Sequence, residues 1–266
     1  MPKLSIITIN LNNAEGLEKT ICSVINQTYS DFEYIVIDGG STDGSVGVIK
    51  KYAEKLIYWV SEPDSGIYNA MNKGIRKASG EYCQFLNSGD WLVAPDVTER
   101  MAKDMPDCAI CYGNMITIQN GEKRVHKGFE GKPITLVNLF RSTINHSPAY
   151  IRRDLFGKYG LYDETLKIAS DWKFFLIAVG LNSELVAYHD VNVAIFDMNG
   201  ISNLNPDLCK KERQIVIRDL ISNNIIRDLE EFASFWDIFW RLKKYPWIWF
   251  IVRSLNFAIR KCEKDL

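Results

Sequence analysis

Four short apolar runs, each leading into Asp or Asn, constrain this chain more than any other feature. Residues 4–9 run into Asn10 and Asn12, and residues 34–37 end on Asp38. Residues 57–60 lead to Glu62 and Asp64, and residues 82–86 lead to Asn87-Ser88-Gly89-Asp90. Runs that are short and apolar throughout read as strands buried on both faces, as in a parallel sheet. Between them the apolar period changes. Leu17, Ile21, Val24 and Ile25 make one helical face, with Asn12 or Asn13 available as its cap. Asp38-Gly39-Gly40-Ser41-Thr42-Asp43-Gly44 is a run of turn formers, and a helix follows from Ser45. Ile67, Ala70, Met71, Gly74, Ile75 and Ala78 again fall at helical spacing.

Strands alternating with helices predict an α/β fold with right-handed crossovers, a mostly parallel sheet and helices on both faces. Ligands of such sheets bind beyond the carboxyl ends of the strands. The polar residues that close the four runs are therefore expected on one rim. A single turn residue of this kind ordinarily serves structure, but four strand ends in succession point to a site. Beyond residue 94 the signals are mixed. Residues 170–181 read as a helix opened by Ser170, 185–196 as one or two strands, and 208–232 as a charged helix.

Composition sets the remaining limits. With 266 residues and 47% hydrophobic content the chain has ample material for a core, and its formal net charge of −1 offers no basic field for nucleic acid. The start of the chain lacks the pattern of a signal peptide, so a cytoplasmic location is expected. The six cysteines, Cys22, Cys83, Cys108, Cys111, Cys209 and Cys262, are scattered and read as reduced thiols. Cys108 and Cys111 have no second ligand pair at a spacing that would suit zinc. The first run is not followed by G-x-G-x-x-G, which argues against a dinucleotide oxidoreductase.

Four stretches occur together in order: Ser5-Ile6-Ile7-Thr8 with Asn12; Ile35-Val36-Ile37-Asp38-Gly39-Gly40-Ser41-Thr42-Asp43-Gly44-Ser45; Ser61-Glu62-Pro63-Asp64-Ser65-Gly66-Ile67-Tyr68-Asn69-Ala70-Met71-Asn72-Lys73-Gly74; and Gly80-Glu81-Tyr82 with Phe85-Leu86-Asn87-Ser88-Gly89-Asp90. This order resembles the family 2 glycosyltransferases with the GT-A fold, in the branch that builds O-antigen, capsule and exopolysaccharide units. The resemblance is strong over roughly the first hundred residues and looser to about residue 200. It implies a GT-A, Rossmann-like catalytic domain over residues 1–205 and a helical extension over 206–266. It implies inverting hexosyl transfer from a nucleotide-diphosphate sugar, above all a UDP-sugar, in surface polysaccharide biosynthesis. The acceptor would be a hydroxyl of a glycan or of a polyprenyl-diphosphate-linked glycan, and the cofactor Mn2+ or Mg2+.

The resemblance also assigns residues. Thr8, Asn10, Asn12, Asp38, Asp64, Asn72, Asn87 and Ser88 would contact the nucleotide sugar. Asp38 would accept the imide N–H of the base, uracil, although on the residues alone it equally caps its own turn. Asp43 reads as a structural cap. Asn87 and Gly89 stand where the family's metal motif commonly has acids, leaving Asp90 as the metal carboxylate. One carboxylate is enough where phosphates and waters complete the shell. Ser170-Asp171-Trp172 stands at the place of the family's base, with Ser170 in place of an acid. Asp171 is then the base, although Asp at a helix start also serves as a cap. His146 and Trp172 would face the acceptor, while Asp163 and Glu164 read as structural.

Two further readings stay open. A sugar nucleotidyltransferase shares the layered fold but needs a Gly-rich, Arg-containing loop after the first strand, which residues 10–16 lack. A degenerate binding or scaffold protein is suggested by the replacements at Asn87, Gly89 and Ser170. The C-terminal segment carries a signal of its own. Four of the seven tryptophans fall between Trp236 and Trp249, and from Arg241 onward seven Lys or Arg stand against Glu263 and Asp265. Aromatic and basic residues together suit the headgroup region of an anionic leaflet, at the inner face of the cytoplasmic membrane. The alternative is an amphipathic helix packed on the catalytic domain. The longest uncharged apolar stretch, residues 247–252, is far short of the ~20 residues a membrane crossing needs.

Overall fold

The four apolar runs form β1 (Leu4–Asn10), β2 (Phe32–Asp38), β3 (Tyr58–Ser61) and β4 (Tyr82–Phe85) in the computed structural model, which describes residues 2–103, 107–119, 121–198 and 204–262. β1 is buried along its whole length and pairs in parallel with β2 and β4, and β2 pairs in parallel with β3. The register aligns the strand ends: Asn10 lies opposite Asp38, and Asp38 opposite Ser61. The polar rim expected from the sequence is thereby assembled at one level. Helices α1 (Ala14–Ile25), α2 (Ser45–Lys51) and α3 (Ile67–Lys77) connect these strands. Asn13 caps α1 by accepting the Gly16 backbone N–H. Gly74 lets α3 settle on the sheet, because a Cβ there would lie 2.5 Å from Ile7 Cγ2.

The mixed region adds β5 (Trp91–Leu92), α4 (Val97–Lys103), β6 (Ile110–Gln119), β7 (Glu122–His126), α5 (Leu136–Arg141), β8 (Ala149–Arg152), α6 (Asp154–Tyr159), α7 (Ser170–Phe175) and β9 (Val186–Phe196). Among the described residues the nine strands make one sheet, ordered β3-β2-β1-β4-β8-β6-β9-β5, with β7 on β6. β8 runs antiparallel to β4 and β6, β9 is parallel to β6, and β5 is antiparallel to β9. The parallel half is the one the sequence spells out, and the second half is mixed. Residues 186–196 are a single long strand, and the helix that opens at Ser170 continues as a π-helical turn over Leu176–Leu181. Cys83, Cys108 and Cys111 are buried as free thiols.

The expected helix over residues 208–232 is broken near residue 222, giving α8 (Pro206–Leu220) and α9 (Asn223–Lys243), followed by α10 (Pro246–Cys262). The chain divides into two compact units, Met1–Gln214 and Ile215–Leu266, so the division falls within α8. In the second unit α9 and α10 meet through the rings of Phe239 and Trp249, 4.9 Å apart and perpendicular. Among the described residues no helix is long and apolar enough to cross a membrane.

Candidate active site

A cavity of about 660 Å³ opens at the carboxyl ends of β1 and β4. Asn10 and Asn13 reach it from the end of β1, Asp64 and Tyr68 from the approach to α3, and Asn87, Ser88 and Asp90 from the loop after β4. His146, Ile168, Asp171, Phe196 and Asp197 close the other side. Four carboxylates (Asp64, Asp90, Asp171 and Asp197) line it against Lys167 and His146. A diphosphate entering such a wall would be repelled without added positive charge.

Several residues expected at the nucleotide sugar lie off the cavity. Thr8 sits within β1, fully buried, its hydroxyl 2.9 Å from that of Tyr34. Asn72 is buried on α3, four residues after Tyr68 and on the side that meets the 162–164 loop. It donates to the Tyr162 carbonyl and Glu164, and accepts the Tyr162 N–H, so it ties α3 to the 162–164 loop. Asn12 is exposed and accepts the Thr42 backbone N–H, holding the loop after β2. Asp38 is 0% exposed, and its two oxygens accept from Asn10, Gly40, Ser41 and Ser61. It is the hub of its turn, and burial is outweighed by these bonds, which hold its carboxyl below the usual range. Trp172 is buried, donates to the Leu139 carbonyl, and faces a second, smaller cavity instead.

The neighbour of Asp38 on the rim lines the cavity. Asn10 donates its amide to Asp38 and Ser41, which fixes the amide orientation and leaves Oδ1 buried without a partner among the described residues. Asn87 is in the same condition: its Nδ2 lies 3.4 Å from His146 Nε2, and its Oδ1 has no partner. A buried oxygen without a donor costs free energy unless a ligand, ion or water supplies one.

Asp171 is held by three groups. Its Oδ1 accepts the Trp172 backbone N–H at 2.8 Å and lies 3.0 Å from the Tyr68 hydroxyl, and its Oδ2 lies 3.5 Å from His146 Nδ1. Burial raises the Asp171 pKa, but His146 and the two hydrogen bonds outweigh it and the net shift is downward. Burial likewise disfavours a charged His146, yet the Asp171 carboxylate carries its pKa above the usual value. Each group therefore favours the charged form of the other. The backbone that leads into Asp171 is fixed by Glu212 of α8, whose carboxylate accepts the N–H groups of Lys167, Ile168 and Ala169.

Asp90 is buried, with Oδ2 accepting from Ser147 and Oδ1 from the Asp197 backbone N–H. Burial, with the Asp197 charge adding to it, raises its pKa to about 6. A Cβ at Gly89 would lie 2.8 Å from Asp197 Oδ2, and φ at Gly89 is +103°. The glycine that replaces an acid therefore leaves room for a carboxylate from the end of β9. Two carboxylates and the unpartnered Asn87 oxygen are the hard, oxygen-only set that suits Mg2+ or Mn2+. Among the described residues no three acidic, His or Cys side chains form a metal cluster, so phosphates and waters would have to fill the rest.

A model of "Glycosyl transferase family 2" matches residues 5–167. This chain belongs to that family. A Mycobacterium tuberculosis protein named as an uncharacterized glycosyltransferase is 34% identical over 208 residues, 76% of this chain and 78% of the relative. A PGL/p-HBAD biosynthesis glycosyltransferase of Mycobacterium bovis is 31% identical over 210 residues, 76% of this chain and 80% of that one. Among solved structures, S. aureus TarS 1–349 with UDP-GlcNAc aligns at TM-score 0.68 and 19% identity, over 85% of this chain and 70% of that one. TarS 1–349 with UDP aligns at TM-score 0.62 and 22% identity, over 73% of this chain and only 60% of that one. The Pyrobaculum calidifontis mannosyltransferase PcManGT with GDP-Man and Mn2+ aligns at 0.62 and 18% identity, over 80% and 62%. These likenesses establish the GT-A type of fold.

Three residues of this glycosyltransferase's site are not singled out by the sequence: Tyr68, Asp197 and Glu212. Tyr68 falls within the stretch from Ser61 to Gly74, but a tyrosine on the apolar face of a helix reads as core. Asp197 follows a strand whose pairing partner is not readable from local pattern. Glu212 lies in a helix rich in charge, where a single buried carboxylate has no periodic signature.

Proposed function

We propose that the chain is an inverting, metal-dependent glycosyltransferase that moves a sugar from a nucleoside diphosphate, UDP first among them, to an acceptor hydroxyl. The observation that carries this reading is one cavity bearing Asp171 on one wall and Asp90 with Asp197 on another. Asp171 Oδ2 is the base: its sister oxygen is committed to Trp172 and Tyr68, while among the described residues Oδ2 meets only His146, at 3.5 Å. It would take the acceptor's proton as the hydroxyl attacks the anomeric carbon from the face opposite the leaving diphosphate, so the centre inverts. Asp90 and Asp197, with Asn87 Oδ1, would hold the divalent cation. When bound, the cation neutralises charge on the departing diphosphate. Asn10 Oδ1, in place of Asp38, is the acceptor for the base. A lone oxygen suits the N–H of uracil or guanine and rejects adenine and cytosine, which present a lone pair there. The TarS complexes with UDP and UDP-GlcNAc and the PcManGT complex with GDP-Man and Mn2+ support a nucleotide-sugar substrate.

A thermal-shift panel of UDP, GDP, ADP and CDP with and without Mn2+ tests this, since a ligand of the native state raises Tm by mass action. UDP with Mn2+ is expected to give the largest rise, and ADP and CDP little. A flat panel would defeat the reading. Binding of UDP-sugars without any turnover would instead favour the degenerate binding protein.

The acceptor is proposed to be a glycan or polyprenyl-diphosphate-linked glycan of a surface polysaccharide, met at the membrane surface. Support comes from the second unit, where Phe235, Trp247 and Phe250 are 65%, 66% and 71% exposed. The stacked rings of Phe232 and Trp236 lie on the same helix, α9. The full chain is expected to float with anionic liposomes and not with neutral ones. Protein that ignores both would exclude membrane attachment through this unit.

A further inference from the structure

A smaller cavity of about 180 Å³ shares His146, Ile168, Asp171 and Phe196 with the main one, so Asp171 stands between the two. Its remaining wall is largely apolar, with Met115, Ile144 and Trp172, and Arg213 is its one permanent cation among the described residues. The Arg213 guanidinium lies over the Trp172 ring, 4.8 Å from its centroid. Its Nε is buried and has no hydrogen-bond partner among the described residues. The carboxylates beside it are engaged elsewhere, Glu212 by three backbone N–H groups and Asp171 by Trp172, Tyr68 and His146. A buried guanidinium donor without an acceptor calls for an anion.

We propose that this cavity is an anion subsite in which Arg213 binds a phosphoryl group carried by the acceptor. The inference rests on the glycosyl-transfer reading above. The planar fork of a guanidinium matches two phosphate oxygens at once. Thr143 and Asn145 bring neutral polar groups to the same wall, which suits a tetrahedral group better than a flat carboxylate. An acceptor anchored there sits across Asp171 from the sugar's own diphosphate, with its hydroxyl within reach of the base. The stacking on Trp172 and the apolar wall exclude water and strengthen the ion pair.

The test titrates inorganic phosphate into the full chain saturated with UDP and Mg2+, by calorimetry. Wild type is expected to bind one phosphate beyond the UDP site. Arg213→Gln should weaken that binding about tenfold or more and leave UDP affinity unchanged. Arg213→Lys keeps the charge and stem but not the fork, and should weaken it less. Wild type that binds no phosphate, or binding equal in wild type and both variants, overturns the proposal. Acetate bound as tightly as phosphate overturns the phosphoryl assignment. If the Gln variant does not fold, wild type and the Lys variant decide. Wild type that fails to bind UDP counts against the glycosyl-transfer reading, while the phosphate comparison with the variants still judges Arg213.

Discussion

Asp171→Asn is expected to slow sugar transfer by roughly 10²- to 10⁴-fold, the range for loss of general base catalysis, with UDP-sugar affinity nearly unchanged. The substitution is conservative here for a structural reason. The Asn oxygen retains the bonds that Oδ1 accepts from Trp172 N–H and Tyr68, so the start of α7 stays in place. Only the oxygen facing His146 is replaced, by an NH2 that accepts no proton. The proposed nucleotide contacts lie across the cavity on β1 and the loop after β4, so affinity should survive. Asp171 is held below the usual carboxylate range, so it stays ionised as pH falls through that range, and an acid limb of activity above it belongs to another group. Removing the carboxylate also removes what holds the His146 pKa up, so His146 should titrate lower in the variant when followed by NMR. Near-normal transfer would dismiss Asp171 and promote His146. Glu164, the nearest acid in sequence, is exposed, bound to Asn69 and Asn72, and off the cavity. Loss of both transfer and affinity would mean that Asp171 only supports the fold.

The contrast between Asp171 and Asp38 shows how far local pattern reaches. Buried parallel strands announce themselves because every residue must be apolar, so β1 to β4 and their shared rim were legible. The rim also named Asn10, Asp64, Asn87, Ser88 and Asp90, all of which line the cavity. What local pattern does not encode is which rim group turns inward. Thr8 stands two residues before the strand end and is covered by Tyr34. Asn72 shares the packed face of α3 with Tyr68, and Asp38 meets donors from three separate segments. The second half of the sheet was less readable because β8 joins β4 in antiparallel fashion and β6 pairs with a strand about 75 residues away. Contacts of that range leave no periodic trace, and they are the ones that bring Asp197 to Asp90, 107 residues earlier.

That long-range pair sets the second large effect. Asp90→Asn is expected to abolish the tightening of UDP by Mn2+ while leaving metal-free UDP binding near the parent value. The variant can keep both local bonds: its oxygen accepts the Asp197 N–H, and its NH2 can donate to the Ser147 hydroxyl that now donates to Oδ2. Any loss then reports the charge and not the fold. Asp197→Asn should act in the same direction, because its carboxylate fills the space beside Gly89 where the resembling motif has an acid. The parent protein offers an independent check through pH. Burial raises the Asp90 pKa to about 6, so in the absence of metal a proton competes for the carboxylate below that point. A ligand that must be deprotonated loses affinity as pH falls, so Mn2+ should bind roughly tenfold more weakly at a pH one unit below the Asp90 pKa than on the alkaline plateau. Calorimetry of Mn2+ with UDP present, run across that range for the parent and both variants, measures it. Mn2+ tightening that persists in both variants, or a parent affinity flat across pH 6, would remove Asp90 and Asp197 from the cation site and shift attention to Asp64, the remaining carboxylate on the nucleotide side of the cavity.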